Sequence, residues 1–358
     1  MSSNTFGKLF RLTTYGESHG VAMGAIVDGC PPGLALTEEV IQPALDRRRP
    51  GQSHYTSQRQ EADRIQILSG VFEGSTTGAP IGLQIQNHDA KANDYEDHRN
   101  IYRPGHADFT YQHKYGIRDH RGGGRASARE TAMWVAAGAI AYHYLQLHFD
   151  IKIYAYLAQM GDLVLEPLAL DEIENNLFFC PDPNKISKLE QKIADIRKQK
   201  DSLGAIVKVV VMNVPIGLGA PVFNKLDADI AHAMMSINAA KGVEIGAGFA
   251  SALQMGSQHR DPITPLGFVS NNGGGVLGGI STGQRLEVAV AFKPTSSIPQ
   301  AIATVNHANE AVTTTVTGRH DPCVGIRAVP VVEAMMALVL MDHVMLHSAQ
   351  CGSPSKAK

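Results

Sequence analysis

The chain has 358 residues, enough for one large domain or two, and is 44% apolar and 18% charged, which is globular composition without a disordered majority. A formal net charge of −2 argues against a broad nucleic-acid surface, so any anion site must come from local clustering of arginines. The four cysteines, Cys30, Cys180, Cys323 and Cys351, lie far apart with no CxxC pair; this speaks against a zinc knuckle or a disulfide framework and for reduced thiols.

The first twelve residues contain no apolar signal-type stretch. The apolar runs at 132–142 and 334–341 fall short of the ~20 residues that cross a bilayer and read as buried helices. The expectation is a cytoplasmic protein without membrane or nucleic-acid partners.

In chain order, residues 6–14 and 21–27 read as strands flanking a polar turn. A helix opens after Thr37, a natural N-cap, and runs to about Asp46. The triplet Arg47-Arg48-Arg49 follows and is stopped by Pro50-Gly51. Residues 52–64 are polar and read as a mobile loop, and 70–86 as strand, glycine turn, strand. Residues 87–125 lack apolar periodicity and are rich in His, Arg and Gly; so long an irregular stretch is usually functional or disordered. Residues 127–147 read as an Ala-rich helix, opened by a capping box from Ser127 to Glu130. A charged amphipathic helix at 183–200 carries Ile186, Leu189, Ile193 and Ile196 on one face and reads as peripheral. Strands follow at 205–213 and 285–292, with a helix at 227–237 between them. A Met-rich core helix at 330–343 precedes a frayed tail.

Three pairs of segments look alike across the two halves. Pro32-Gly33-Leu34 resembles Ile216-Gly217-Leu218, residues 71–78 resemble 276–283, and 119–133 resemble 321–335, at offsets of 184, 205 and 202 residues in the same chain order. Convergent use of glycine turns would account for any single pair. The three together imply two related halves packed face to face, with a composite site where they meet.

The densest chemical cluster spans residues 116–131. Arg118, Arg121, Arg125 and Arg129 surround the run Gly122-Gly123-Gly124 ahead of a helix start. Glycine lets backbone N–H groups approach a ligand, a helix N-terminus adds partial positive charge, and Arg supplies planar forks for carboxylate or phosphate. These features together make an anion cradle. In Arg103-Pro104-Gly105-His106-Ala107-Asp108, the Pro-Gly turn presents His106, which titrates near neutrality. Gly16-Glu17-Ser18-His19-Gly20 formally matches a nucleophile elbow, but a strand rather than a helix follows, so a turn presenting Ser18 and His19 is the better reading. Residues 318–327 bring Arg319, His320 and Asp321 together ahead of the last helix. Gly273-x-Gly275-x-x-Gly278 matches a dinucleotide fingerprint, but strand-like sequence follows where a helix is required. Lys293-Pro294-Thr295-Ser296-Ser297, at a strand end, offers an ammonium and hydroxyls to a phosphate. The scattered His and Asp residues have no metal-ligand spacing, and no metal is expected.

These blocks, together with Asp46 to Gly51 and the segment 318–330, resemble the signatures of the chorismate synthase family, in order and over nearly the whole chain. The resemblance implies an α+β fold, a β-α-β sandwich with an internal pseudo-twofold duplication and helices packed between antiparallel sheets. It would be one domain over 1–358, built of halves at about 6–150 and 203–345 with the helical insertion at 183–200. It implies a lyase that converts 5-enolpyruvylshikimate 3-phosphate to chorismate and phosphate by anti 1,4-elimination. Reduced FMN would be the cofactor, with NADPH needed only indirectly and an external flavin reductase as its source, and the assembly would be a homotetramer. By the same resemblance, His19 and His106 would handle protons, with His106 as an imidazolium beside the departing phosphate. Asp321 would assist proton removal through the flavin, and Ser18 and Ser127 would position these groups. Arg125, Ala126, Ser127, Asn238, Ala239, Gly278, Lys293, Pro294, Thr295, Ser296, Ser297 and Arg319 would contact FMN. Arg48, His54, Arg103 and Arg129 would bind the anionic substrate. Two positions depart from the family pattern: His54 stands where an Arg is common, and Ala126 where a Ser is.

Overall fold

The computed structural model describes residues 3–51, 55, 61–88, 98–316 and 320–354. His54, Arg319 and most of the expected loop at 52–64 lie outside them. Two five-stranded antiparallel sheets dominate. The first runs in the order Thr5–Phe6, Arg11–Gly16, Ala22–Asp28, Ile81–Gln86, Gln66–Ile67. The second runs Ala240–Ile245, Leu286–Phe292, Ala205–Met212, Lys152–Met160, Leu163–Val164. Period-2 alternation sets their faces: Ile81, Leu83 and Ile85 are buried on one strand, and Val207, Val209 and Val211 on another. The strand expected at 6–14 breaks at Gly7, whose φ is +87°, and resumes at Arg11.

Among the described residues seven α-helices accompany the sheets: α1 Glu38–Arg48, α2 Asp108–Tyr115, α3 Thr131–Phe149, α4 Ile186–Lys198, α5 Leu226–Met235, the single-turn α6 Gly256–His259, and α7 Gly325–Cys351. α3 packs on the first sheet and on α7, α7 packs on the second sheet, and α1 and α5 flank the pair. Both central helices are apolar around much of their circumference because each meets protein on several sides. The α3–α7 crossing is close: a Cβ on Gly138 would sit 2.5 Å from the Ala334 Cβ. α7 is 27 residues long, much longer than the expected 330–343, and by length and composition alone it is long enough to cross a membrane; 83% of its most apolar window is buried in the protein, so it is the core helix.

Several local expectations change in the folded chain. Thr37 occupies the N-cap of α1 without a side-chain cap bond, and the helix extends through Arg48. Ser127 does cap, accepting the Arg129 N–H at 3.3 Å, but it caps a 3-10 turn, Ala128–Glu130, that leads into α3. The Glu130 side chain does not close the box; it turns to Arg125 instead. α2 lies inside the stretch expected to be irregular. Its legible signals were Asp108 in its first turn and Gly116, left-handed at φ +73°, as its C-cap. α4 buries Leu189, Ile193 and Ile196 and leaves most of its charged residues outward.

The segments that look alike in sequence form matching hydrogen-bond networks. In the first half the Thr76 hydroxyl donates to Pro31 O at 2.7 Å and accepts from Leu34 N at 2.9 Å. In the second, the Ser281 hydroxyl donates to Pro215 O at 2.6 Å and accepts from Leu218 N at 2.8 Å. The backbone bonds follow suit, with Gly33 N to Thr76 O paralleled by Gly217 N to Ser281 O, and Thr77 N to Gly70 O by Thr282 N to Gly275 O.

Candidate active site

A cleft of about 1630 Å³ opens beside the glycine-rich loop. That exceeds the ~300–1,000 Å³ typical of a site for one small ligand. It draws residues from chain regions hundreds of positions apart. Of the expected set it is lined by His19, Arg48, Arg103, His106, Arg125, Ala126, Ser127, Arg129, Asn238, Ala239, Lys293, Pro294, Thr295, Ser296, Ser297 and Asp321. Ser18 lies behind the wall, fully buried, with its hydroxyl 2.9 Å from His19 Nδ1. Burial and the absence of a helix after Gly20 remove the hydrolase reading of Ser18. Gly278 does not line the cleft; it is in the tight hairpin joining Val276–Leu277 to Ile280–Ser281, which also removes the dinucleotide reading of the glycines around it.

The arginines form the floor. Arg48, from the last turn of α1, is 1% exposed. Burial, reinforced by Arg327 and Arg129 and opposed by Asp63, pushes its guanidinium down to about 9. Its Nη1 reaches Arg129 O at 3.2 Å, while Nε and Nη2 are buried without a hydrogen bond among the described residues. Arg129 donates from Nη1 to Asp63 Oδ1 at 2.9 Å and from Nε to Asn87 Oδ1 at 2.7 Å. Its Nη2 is likewise buried and unbonded, with Glu61 Oε2 3.7 Å away. Arg327, from α7, holds Asp321 Oδ2 at 2.8 Å and donates to Arg48 O at 3.1 Å. Buried donors without acceptors are costly, and an anionic ligand would supply the acceptors.

Arg103 makes a two-pronged contact with Asp108, Nε at 2.7 Å and Nη2 at 2.8 Å. Arg125 lines the cleft, and its side chain is held from several sides. Its guanidinium donates to Gly16 O, Thr14 O, Thr14 Oγ1, Asn4 Oδ1 and Glu130, so it fastens the N-terminal strands to the loop.

His106 Nδ1 lies 3.0 Å from Pro104 O and Nε2 lies 2.7 Å from Ser297 Oγ. A carbonyl only accepts, so Nδ1 carries the proton and the Nε2 lone pair takes the Ser297 O–H. Burial, then the Arg103 charge, lowers the His106 pKa, and burial followed by the nearby His106 pushes His320 down to about 4. Both effects favour the neutral imidazole at His106 in the free protein. His19 is closed in on one side by Gly122, where a Cβ would meet Nδ1 at 2.2 Å and where φ is +141°. Lys293 Nζ bonds Gly105 O at 2.9 Å and Ser296 Oγ at 2.8 Å. Thr295 Oγ1 donates to Asp321 O at 2.9 Å, and Asn238 Nδ2 donates to Ala126 O at 2.9 Å while its Oδ1 is buried and unbonded.

Sequence reasoning missed Glu61 and Asp63, which are 4% and 1% exposed although they fall in a segment that read as solvated loop. No local pattern marks them, because what buries them is the arginine pair contributed by α1 and by the turn before α3. Glu130 was seen only as a capping residue; burial, opposed by Arg125 and helped by Glu17, pushes its carboxyl up to about 7.

Fold and cleft together present the large, arginine-lined pocket of an enzyme. The chorismate synthase family model matches residues 10–345. A solved structure titled "Crystal Structure of Chorismate Synthase" superposes with a TM-score of 0.77 at 34% identity, covering 97% of this chain and 94% of that one. The chain belongs to the chorismate synthase family of enzymes.

Proposed function

We propose that this protein converts 5-enolpyruvylshikimate 3-phosphate to chorismate and inorganic phosphate by anti 1,4-elimination with reduced FMN. The carrying observation is the pair of buried arginines, Arg48 and Arg129, which line a cleft large enough for cofactor and substrate together and carry buried nitrogens without a hydrogen bond among the described residues. A phosphate and two carboxylates require such donors, and holding them in one orientation lowers the barrier by prepaid entropy and fixed charge.

The cleft fits a flavin at its other wall. Asn238 Oδ1 is a buried acceptor without a donor among the described residues, and Lys293 with the hydroxyls of Thr295, Ser296 and Ser297 suits a phosphate. Arg125 lines the same cleft with its side chain engaged by Glu130 and the N-terminal strands, and Gly278 stands outside the cleft lining. When bound, reduced FMN supplies electron density to the eliminating ring without net redox change. The chain's own residues do the rest. Arg48 and Arg129 bind and orient substrate anions. An anionic ligand opposes the effects of burial and Arg103 on His106 and favours proton uptake at Nε2, which then donates toward the leaving phosphate. His19 is held by the Ser18 hydroxyl, and Asp321, kept in place by Arg327, offers a carboxylate for the proton released.

The reading extends to a single β-α-β sandwich of two related halves, supported by the matching Thr76 and Ser281 networks. It extends also to a homotetramer, supported by the exposed apolar side chains of Phe249, Leu253, Ile263 and Leu266. A cytoplasmic setting, with flavin reduced by a separate NADPH-dependent reductase, completes it. The test is anaerobic incubation of the purified protein with the enolpyruvyl substrate and chemically reduced FMN, following phosphate and chorismate absorbance. Equal, flavin-dependent release of both is expected; binding of both ligands without product would overturn the proposal.

A further inference from the structure

We propose that Asn87 is a positioning residue that ties the anion-binding Arg129 to the turn carrying Ser18 and His19, so that substrate capture and placement of the His19 imidazole share one support. The inference rests on the functional reading above. Asn87 follows the strand Ile81–Gln86 and does not line the cleft. Its amide nitrogen donates to Glu17 O at 3.0 Å and to Gly20 O at 2.8 Å, the two ends of the turn. Its amide oxygen accepts from Arg129 Nε at 2.7 Å.

Chemistry fixes which way this amide faces. Guanidinium nitrogens only donate and carbonyl oxygens only accept, so Oδ1 must meet Arg129 and the NH2 must meet the turn. No other side chain of this length offers both two donors and an acceptor. Asp would set a carboxylate oxygen against two carbonyls, and Leu would lose all three of these bonds.

Two backbone bonds add to these fixings of the turn. Gly20 N donates to Glu17 O at 3.1 Å, and Asn87 N donates to Val21 O at 3.1 Å. Ser18 and His19 lie between the pinned ends, and His19 is closed in by Gly122. A shift of the turn therefore moves the imidazole, and a displacement on the order of 1 Å at a reacting group can cost about 100-fold in rate. Arg129 gains a fixed Nε from the same amide, while Asp63 holds Nη1, so its remaining donor is presented in one orientation.

The experiment is a double-mutant cycle on turnover with reduced FMN, using Asn87→Asp and His19→Ala. Asn87→Asp keeps the acceptor for Arg129 and loses both donors to the turn. It is expected to lower kcat about 10- to 100-fold with KM changed by less than about threefold, and this penalty should nearly vanish in the His19→Ala background. A merely structural role would give the same penalty in both backgrounds, and that result, or an unchanged kcat, overturns the proposal. Asn87→Ala, which adds no charge beside the carbonyls, carries the same cycle if the Asp variant does not fold, with KM expected to rise as well. The His19 ring resonances and their pH titration by NMR supply a readout independent of turnover. If the wild-type protein forms no chorismate, the functional reading fails, and unchanged His19 resonances in the Asn87 variant then reject the positioning role separately.

Discussion

Replacing Asp63 by Asn removes one charge from the centre of the arginine cluster and changes little else. Asp63 has φ +44°, a left-handed backbone that Asn tolerates, so shape and backbone are kept. Its carboxylate lies 2.9 Å from Arg129 and 3.4 Å from Arg48, with all three side chains buried. Burial pushes the Asp63 pKa up, but Arg48 and Arg129 outweigh it and hold the carboxyl below its ordinary value of 3.8. Removing one partner of a buried pair costs about 3–5 kcal/mol because the other charge stays desolvated. The open cleft admits water and salt, which favours the lower end, about 3 kcal/mol, a large part of the ~5–15 kcal/mol that holds a typical domain. Because the folded pKa is depressed, the stabilisation is present above the unfolded value near 3.8 and is lost as pH falls through the folded pKa. Urea unfolding at pH 7 and at decreasing pH reads both magnitude and sign. Sulfate should stabilise the Asn variant more than the wild type, since a cleft anion replaces the missing carboxylate. A loss under about 0.5 kcal/mol at pH 7, with equal sulfate responses, would refute the counter-ion reasoning.

Two further outcomes follow from the same cleft. The Glu130 carboxyl is raised from 4.5 to about 7, so its contribution is fully present below pH 4.5 and falls away as pH rises to 7, by roughly 3 kcal/mol. The stability of the wild type relative to Glu130→Gln should decline over that window, and parallel unfolding profiles would reject it. Gly122→Ala places a methyl 2.2 Å from His19 Nδ1 on a backbone at φ +141°; kcat should fall about 100-fold with far-UV circular dichroism unchanged, and wild-type turnover would show that the ring is not confined there.

Much of this protein is legible in its sequence because the signals are local. Alternation marked Ala205–Met212 and Leu286–Phe292, and the apolar stripe of α4 marked its buried face. The repeated Gly-Leu and hydroxyl-bearing positions marked the paired turns now seen at Thr76 and Ser281. α2 was missed because a run of His, Lys and Tyr in Asp108–Tyr115 carries no apolar stripe, its stability coming from contacts such as Phe109 and Tyr102, whose rings meet edge-on at 5.4 Å.

The sequence by itself determined which residue types could meet an anion: Arg48, Arg103, Arg125 and Arg129, the glycines between them, and the histidines at 19 and 106. Only the tertiary structure decided how each is used. It spends Arg125 on Glu130 and the N-terminal strands, leaves Arg48 and Arg129 with buried donors unmet among the described residues, buries Asp63 between them and hangs the Ser18–His19 turn on Asn87. The reason is physical. Periodicity and turn chemistry act between neighbours in the chain, whereas the partner of a buried charge is set by whatever the packed sheets and helices bring within about 3 Å.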